Sequence, residues 1–340
     1  MVNGAPGSAW AALRSMAGVD TLELLGTLSA DDPTPVSEES LFDLASLTKV
    51  FTAVAALRLV DAGLIALDEP CAAVLSIGSG PGSGAITLRH LLLHTSGLPA
   101  EGGMWRSGLR GAALQRAIVA ADLVSAPDTE HRYSDVGFIA VGTLLERVSG
   151  RPLAQLIAEV AALLGADTLT WSPDPRHSVA TEIQPHRGLV RAEVHDELAS
   201  ALGRPAGHAG LFGTVHDVAA LARMIRDDGG GPRRRVLSAA SARMLTVPAP
   251  AVRADGFEQA LGLRVRQRSW MGDGEAVGHT GFTGTAFAVN PRTGDFGVLL
   301  LNRVHPTRED ADVTGVRREY FAFLSPDKAS DPLDGDPQRG

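Results

Sequence analysis

The spacing of apolar residues changes character along the chain. A short apolar stretch over residues 21–28 reads as a strand. From residue 44 the apolar positions fall at helical spacing, with alanines between them, until Gly63 interrupts the pattern; this predicts a long, mostly buried helix over 44–64. Glycine and proline punctuate 78–84, and helical patterns return over 87–93, 111–123, 136–148, 152–164 and 215–226. Residues 171–206 turn to Pro, His, Arg and Glu without periodicity, so an extended loop region over a site or between subunits is expected there. In the last third the period shortens. Residues 261–268, 285–290 and 296–301 alternate or run apolar over short lengths, and Pro291-Arg292-Thr293-Gly294 supplies a turn, which together predict an antiparallel hairpin with a neighbour. A final helix over 310–323 would cover one sheet face, and the tail rich in Asp, Pro and Gly over 326–340 is expected to be disordered.

The predicted class is α+β: an antiparallel sheet flanked by helices and contributed by both ends of the chain, residues 1–75 and 245–325. A mostly helical domain over 76–244 is inserted between them. No internal repeat is visible.

Composition narrows the function classes. With 44% hydrophobic and 21% charged residues the chain is globular, and a net charge of −8 with 5% aromatics excludes a nucleic-acid surface. The one basic run, Arg233, Arg234 and Arg235, follows Gly229, Gly230, Gly231 and Pro232 and reads as a solvated loop. Cys71 is the single cysteine, so no internal disulfide is available. No stretch approaches the ~18 apolar residues of a membrane span; the run from Val50 to Leu57 is closed by Lys49 and Arg58. The first sixteen residues carry neither a basic cluster nor an apolar block, so no secretory signal is expected and the protein is expected in the cytoplasm.

The rare residues carry the chemistry. Of 31 basic side chains only Lys49 and Lys328 are lysines, and the only tyrosines are Tyr133 and Tyr320. A chain that writes arginine almost everywhere keeps lysine where arginine fails, for instance where an amine must lose its proton. Ser46-Leu47-Thr48-Lys49 opens the long helix, and a spacing of three puts hydroxyl and amine on one face. A serine becomes a nucleophile when a neighbouring base takes its proton, and a lysine amine serves if burial and nearby charge lower its pKa. The helix amino terminus favours negative charge developing at Ser46. The pattern alone is weak, since an ordinary capping serine and surface lysine would also produce it. Ser325-Pro326-Asp327-Lys328 is a second copy that its proline and polar tail disqualify. Burial favours the first copy, because Lys49 interrupts Leu44, Leu47, Val50 and Phe51.

Two more motifs follow in order: Tyr133-Ser134-Asp135 at the start of a helix, and Gly278-His279-Thr280-Gly281 heading a glycine-rich strand. With the segments 42–50, 88–99, 207–212 and 278–284, they resemble the serine β-lactamase and DD-peptidase superfamily, specifically its class C-like serine hydrolase branch, over roughly residues 20–325. The resemblance implies an acylated nucleophile at Ser46, its base partner at Lys49, and a second proton-transfer group at Tyr133. It places the oxyanion hole at the backbone N–H groups of Ser46 and Phe282, with Asp135, His279, Thr280, Gly281 and His208 as substrate-binding residues and His195-Asp196 near the site mouth.

The pattern also departs from the family. Asp135 stands where asparagine is usual; a carboxylate only accepts hydrogen bonds, and it should keep Lys49 charged and shift base duty toward Tyr133. His279 stands where lysine is usual, replacing a fixed cation with an imidazole half-charged around pH 6.5, as in esterases and peptidase relatives. Asp128 replaces a common glycine in the loop before Tyr133. His90 and His94, spaced i and i+4, lack the Glu of a zinc peptidase and read as core or capping residues. No metal or cofactor is expected.

The expected activity is serine acyl-enzyme catalysis on a small-molecule ester or amide donor. With water as acceptor the enzyme is an esterase, amidase or weak β-lactamase; with an amine or alcohol it is a transacylase, for which an intracellular role in secondary-metabolite biosynthesis is one alternative. The other alternative is a sensor that binds or is acylated without turnover.

Overall fold

The computed structural model describes residues 7–325 apart from 102, 251, 255, 273, 310 and 311. The chain opens with strands β1 (Ala9–Met16) and β2 (Val19–Ser29). Ala17 and Gly18 between them both have positive φ, the backbone that lets a two-residue hairpin match strand twist. Next come β3 (Asp32–Pro35), β4 (Phe42–Asp43), a 3₁₀ turn (Ala45–Leu47) and helix α1 (Thr48–Asp61). Helices α2 (Leu88–Leu92), α3 (Gly111–Val119), α4 (Asp135–Ser149) and α5 (Leu153–Leu164) fill the middle. They are followed by the short pair β5 (Ile183–Gln184) and β6 (Gly188–Leu189), α6 (Glu197–Leu202), β7 (Phe212–Gly213), α7 (Val215–Arg226) and α8 (Ala239–Thr246). The remaining strands are β8 (Arg253–Ala254), β9 (Phe257–Ala260), β10 (Leu263–Val265), β11 (Val277–Thr280), β12 (Ala286–Val289) and β13 (Phe296–Leu301), before α9 (Thr314–Phe321).

Nine of these strands form one antiparallel sheet in the order β3-β2-β1-β13-β12-β11-β10-β9-β8, so the two ends of the chain meet at β1 and β13, where Trp10 pairs with Leu301. Both faces of its central strands are covered, while β2 and β3 at one edge are largely exposed. Leu13, Phe287, Val298 and Leu300 point into the large core that includes α1 and α7, whereas Trp10, Ala12, Ala288, Leu299 and Leu301 point toward α9. On the α9 face the chain uses small residues. A side chain at Gly297 would meet the rings of Tyr320, Phe321 and Phe323, and the Tyr320 hydroxyl donates to Val298 O at 3.0 Å. Helix α1 is buried almost all round and packs against α4 and α5, so it sits where sheet and helical layers meet. Each fully buried Leu, Val or Phe contributes about 1.5–3 kcal/mol of burial free energy.

The α+β class with an antiparallel sheet is therefore observed, with corrections in detail. Residues 9–16, read as lacking an apolar block, are a central strand. Both of its faces are buried and much of it is alanine, which leaves no alternation to detect. The expected helix over 44–64 is a 3₁₀ turn followed by α1, and Ser46 lies in the turn. Helix α8 and strands β8 and β9 were not expected. The final helix is shorter than 310–323, and the tail over 326–340, including Lys328, lies outside the described residues.

Residues 171–206 are mostly irregular, as expected, with β5, β6 and α6 as their only regular pieces among the described residues, and hydrogen bonds tie them to the rest of the fold. Val179 N–H donates to Leu41 O at 2.9 Å, Asn302 Nδ2 to Ala180 O at 2.9 Å, and Gln184 Nε2 to His195 O at 3.2 Å. At their centre the buried Glu182 carboxylate takes Arg308 Nε at 2.8 Å and faces His195 Nε2 at 2.9 Å. Burial opposes a charge on Glu182, but Arg308 and His195 outweigh it and bring its pKa down to about 2.

Candidate active site

The segment carrying Ser46 is fixed from both sides. Asp43 is buried, and its carboxylate accepts from Ala45 N–H at 2.8 Å and His195 N–H at 2.7 Å; burial nevertheless pushes its pKa up. Ala45 has φ of +46°, a left-handed conformation that turns the chain into the 3₁₀ turn. One turn later Lys49 is fully buried, and its amine has an acceptor for each of its three protons: Ser46 Oγ at 3.0 Å, Asp135 Oδ1 at 2.6 Å and His208 O at 3.1 Å. Burial alone would lower the Lys49 pKa, but Asp135 and then Tyr133 outweigh it and push it up to about 12. The resting amine is an ammonium.

Tyr133 and Asp135 are delivered by the start of α4. Ser134 caps that helix, its hydroxyl accepting from Gly137 N–H at 2.9 Å and donating to Pro99 O at 2.6 Å. The Tyr133 ring lies with its centroid 4.9 Å from Lys49 Nζ. Behind it stands His94, buried and with φ of +60°. Its Nδ1 accepts from Ser134 N–H at 3.0 Å and its ring centroid is 4.6 Å from that of Tyr133. Burial, then the Lys49 charge, hold the His94 pKa well below the ordinary value, so the ring is neutral and acts as a wedge. His90 instead closes a capping box with Thr87. Both histidines thus have the core or capping roles read from the sequence. Arg264, on β10, lies over the other side of Tyr133 with its guanidinium 5.4 Å from the ring centroid.

The end of β11 forms the third wall. His279 is buried, and its Nδ1 lies 2.9 Å from Thr280 O; a carbonyl only accepts, so Nδ1 carries the proton and Nε2 the lone pair. Burial, then Arg264 and Lys49, put its pKa well below the ordinary value. This corrects the expectation of a half-charged imidazole. Thr280 is half-buried at the strand end. At Gly281 a Cβ would collide with Thr285 Oγ1 and Leu44 O, so only glycine lets this strand end press against the segment before Ser46. Thr283 Oγ1 donates to Asp43 O at 2.7 Å and Thr285 Oγ1 to Leu44 O at 3.1 Å, joining the two walls directly. Among the described residues neither Ser46 N–H nor Phe282 N–H has a protein acceptor.

His208 does not join the pocket as expected. Its side chain is fully buried with Nε2 3.0 Å from Asp196 Oδ1, and only its backbone carbonyl reaches the site. The His208–Asp196 contact lowers the Asp196 pKa against the opposing effect of burial. His195 lies beside the site, its ring stacked 5.6 Å from that of Phe282. Sequence reasoning missed the wedge role of His94, and it missed Arg264 altogether, because both reach Tyr133 through tertiary packing. No group of residues suited to a metal ion occurs among the described residues, and no described helix is long and apolar enough to cross a membrane.

The chain is similar to known proteins in sequence and in fold. The sequence profile of the family described as Beta-lactamase matches residues 4–321. A putative D-alanyl-D-alanine carboxypeptidase of Escherichia coli O157:H7 is 28% identical over 320 residues, covering 82% of this chain and 73% of that protein. An N-acetylmuramyl-L-alanine amidase of Bacillus subtilis (strain 168) is 28% identical over 314 residues, covering 80% and 70%. Among solved structures, "EstCE1, a hydrolase with promiscuous acyltransferase activity" superposes with a TM-score of 0.75 at 20% identity, covering 93% of this chain and 94% of that one.

Proposed function

The chain belongs to the beta-lactamase family, a superfamily of serine hydrolases and acyltransferases, and on that premise we propose that it cleaves a small ester or amide through an acyl-enzyme on Ser46. The observation that carries the reading is the buried Lys49 amine held 3.0 Å from Ser46 Oγ and against Asp135 and the Tyr133 ring. Ser46 Oγ attacks the carbonyl carbon while its proton passes to the Tyr133 oxygen and the phenol gives its own proton onward to the leaving group; Lys49, being charged, offsets the negative charge developing on Oγ. Collapse of the tetrahedral intermediate breaks the bond to the leaving group, which departs with that proton. Water, an amine or an alcohol then attacks the acyl-enzyme and gives its proton to the Tyr133 oxygen while the phenol passes its own proton to Ser46 Oγ, which releases the product and restores the enzyme.

The neutral His279 offers no fixed cation of its own, so a donor carrying a carboxylate would have to be met by Arg264 beside Tyr133. Hydrolysis is the primary reading, in keeping with relatives whose names denote a carboxypeptidase and an amidase. Transfer to an amine or alcohol is the second, favoured by the structural likeness to a hydrolase with promiscuous acyltransferase activity.

The test is a p-nitrophenyl ester assay with and without an added amine, followed by intact-protein mass measurement. A nitrophenol burst with an acyl adduct on Ser46, and hydrolysis as the main fate, is the expected result. Amide formed beyond hydrolysis would select the transfer reading. Adduct without turnover would select a sensor, and no Ser46 adduct would reject all three.

A second prediction concerns pH. Asp135 raises the Lys49 pKa whereas burial lowers it, so Asp135→Asn leaves burial in command and the ammonium is lost at a lower pH. If the ammonium is the working form, the alkaline limb of kcat/KM moves down by roughly 1–3 pH units. A rise in activity at neutral pH would instead identify neutral Lys49 as the base.

A further inference from the structure

We propose that Arg317, on α9 and outside all three motifs, is a positioning residue for the oxyanion hole: its guanidinium grips the Gly281–Phe282 peptide from behind and aims the Phe282 N–H at the substrate oxygen beside Ser46. This rests on the acyl-enzyme reading above.

Arg317 Nη2 donates to Gly281 O at 3.0 Å and to Thr285 O at 3.1 Å. The Gly281–Phe282 bond is trans, and in a trans peptide the C=O and N–H point in opposite directions. A cation fixed on the Gly281 carbonyl therefore fixes the Phe282 N–H on the opposite side. It also polarises the peptide, making that N–H a stronger donor. The next peptide is held separately, because Arg303 Nε donates to Phe282 O at 2.6 Å.

Two observations separate this arrangement from ordinary surface packing. Among the described residues no carboxylate lies within ion-pair distance of Arg317, so its hydrogen-bond acceptors are two backbone carbonyls of the 281–285 turn. Its Nε is buried without a partner. Burial, then the neighbouring Arg303 and Arg264, lower the Arg317 pKa to about 9, and Asp312 opposes them only from beyond ion-pair distance, so stability alone does not explain a cation here. The helix that carries it is itself anchored through the Tyr320 hydroxyl on Val298 O and the aromatic contact with Gly297.

The test compares wild type, Arg317→Met and Arg317→Lys in p-nitrophenyl ester kinetics, thermal midpoint, and inhibition by phenylboronic acid, whose tetrahedral serine adduct mimics the intermediate. In Arg317→Met, kcat is expected to fall roughly 10–100-fold with KM held, boronate affinity to fall by the same factor, and the midpoint to hold or rise. Arg317→Lys, which keeps a charge but loses the planar fork, is expected to lie between. Unchanged kcat and boronate affinity in Arg317→Met would overturn the proposal. So would kcat and KM losses that merely track a lowered midpoint in both variants. A wild-type protein without Ser46-dependent turnover or boronate binding would overturn the acyl-enzyme reading and this proposal with it, whereas a normal wild type with an indifferent Arg317 would overturn this proposal alone.

Discussion

Ser46→Ala is expected to lower ester turnover by roughly 10⁴–10⁶-fold and to abolish the fluorophosphonate adduct. The size of the loss follows from the covalent route: without Oγ no acyl-enzyme forms, and only the backbone donors and binding contacts remain to assist water. The fold should hardly notice, because among the described residues the only side-chain hydrogen bond at Oγ is the one from Lys49, which keeps Asp135 and His208 O as partners. Nitrophenol release, intact mass after fluorophosphonate treatment and the thermal midpoint together check this. A persistent adduct would move the nucleophile elsewhere.

Tyr133→Phe carries the second large effect, a loss of roughly 10²–10⁴-fold in kcat. The substitution removes one oxygen and keeps the ring between His94, 4.6 Å away, and Arg264, 5.4 Å away, so binding and packing should persist. With Lys49 paired to Asp135, Tyr133 is the group proposed to take the serine proton and to supply the leaving group with one. Both the burst and the steady state should slow, with KM little altered. Near-normal burst kinetics in this variant would mean that Lys49 gives up a proton despite its carboxylate neighbour.

What could be read from the sequence depended on whether a residue's role was local. Helix α7 falls at the limits expected from its helical period, because its half-exposed polar residues break the apolar face, and strand β13 at those expected from an unbroken apolar run that follows a Pro-Arg-Thr-Gly turn, every residue of it being buried. Strand β1 does not announce itself, since a strand covered on both sides and rich in alanine has no polar face. The three motifs could be read because they are contiguous, and the Lys49–Asp135 pair because two motif residues had to meet. The role of His208 was misread: its carbonyl, which every residue type has, reaches the site while its ring turns away to Asp196. Arg264, Arg317 and the Glu182–Arg308–His195 cluster lie far in sequence from the groups they serve, and nothing in their own neighbourhoods marks them.

The order of strands in the sheet also sets a schedule for biosynthesis. The turn holding Ser46 emerges early, but the strand end that lies against it, around Gly281, comes more than two hundred residues later. At ~5–20 residues per second that interval is roughly ten to fifty seconds. Throughout it β1 lacks its partner β13, and one wall of the α1 core is missing. A ribosome-stalled chain ending before β11 should therefore expose apolar surface and depend on chaperones, and the reactive serine would be completed only when the last third of the protein closes over it.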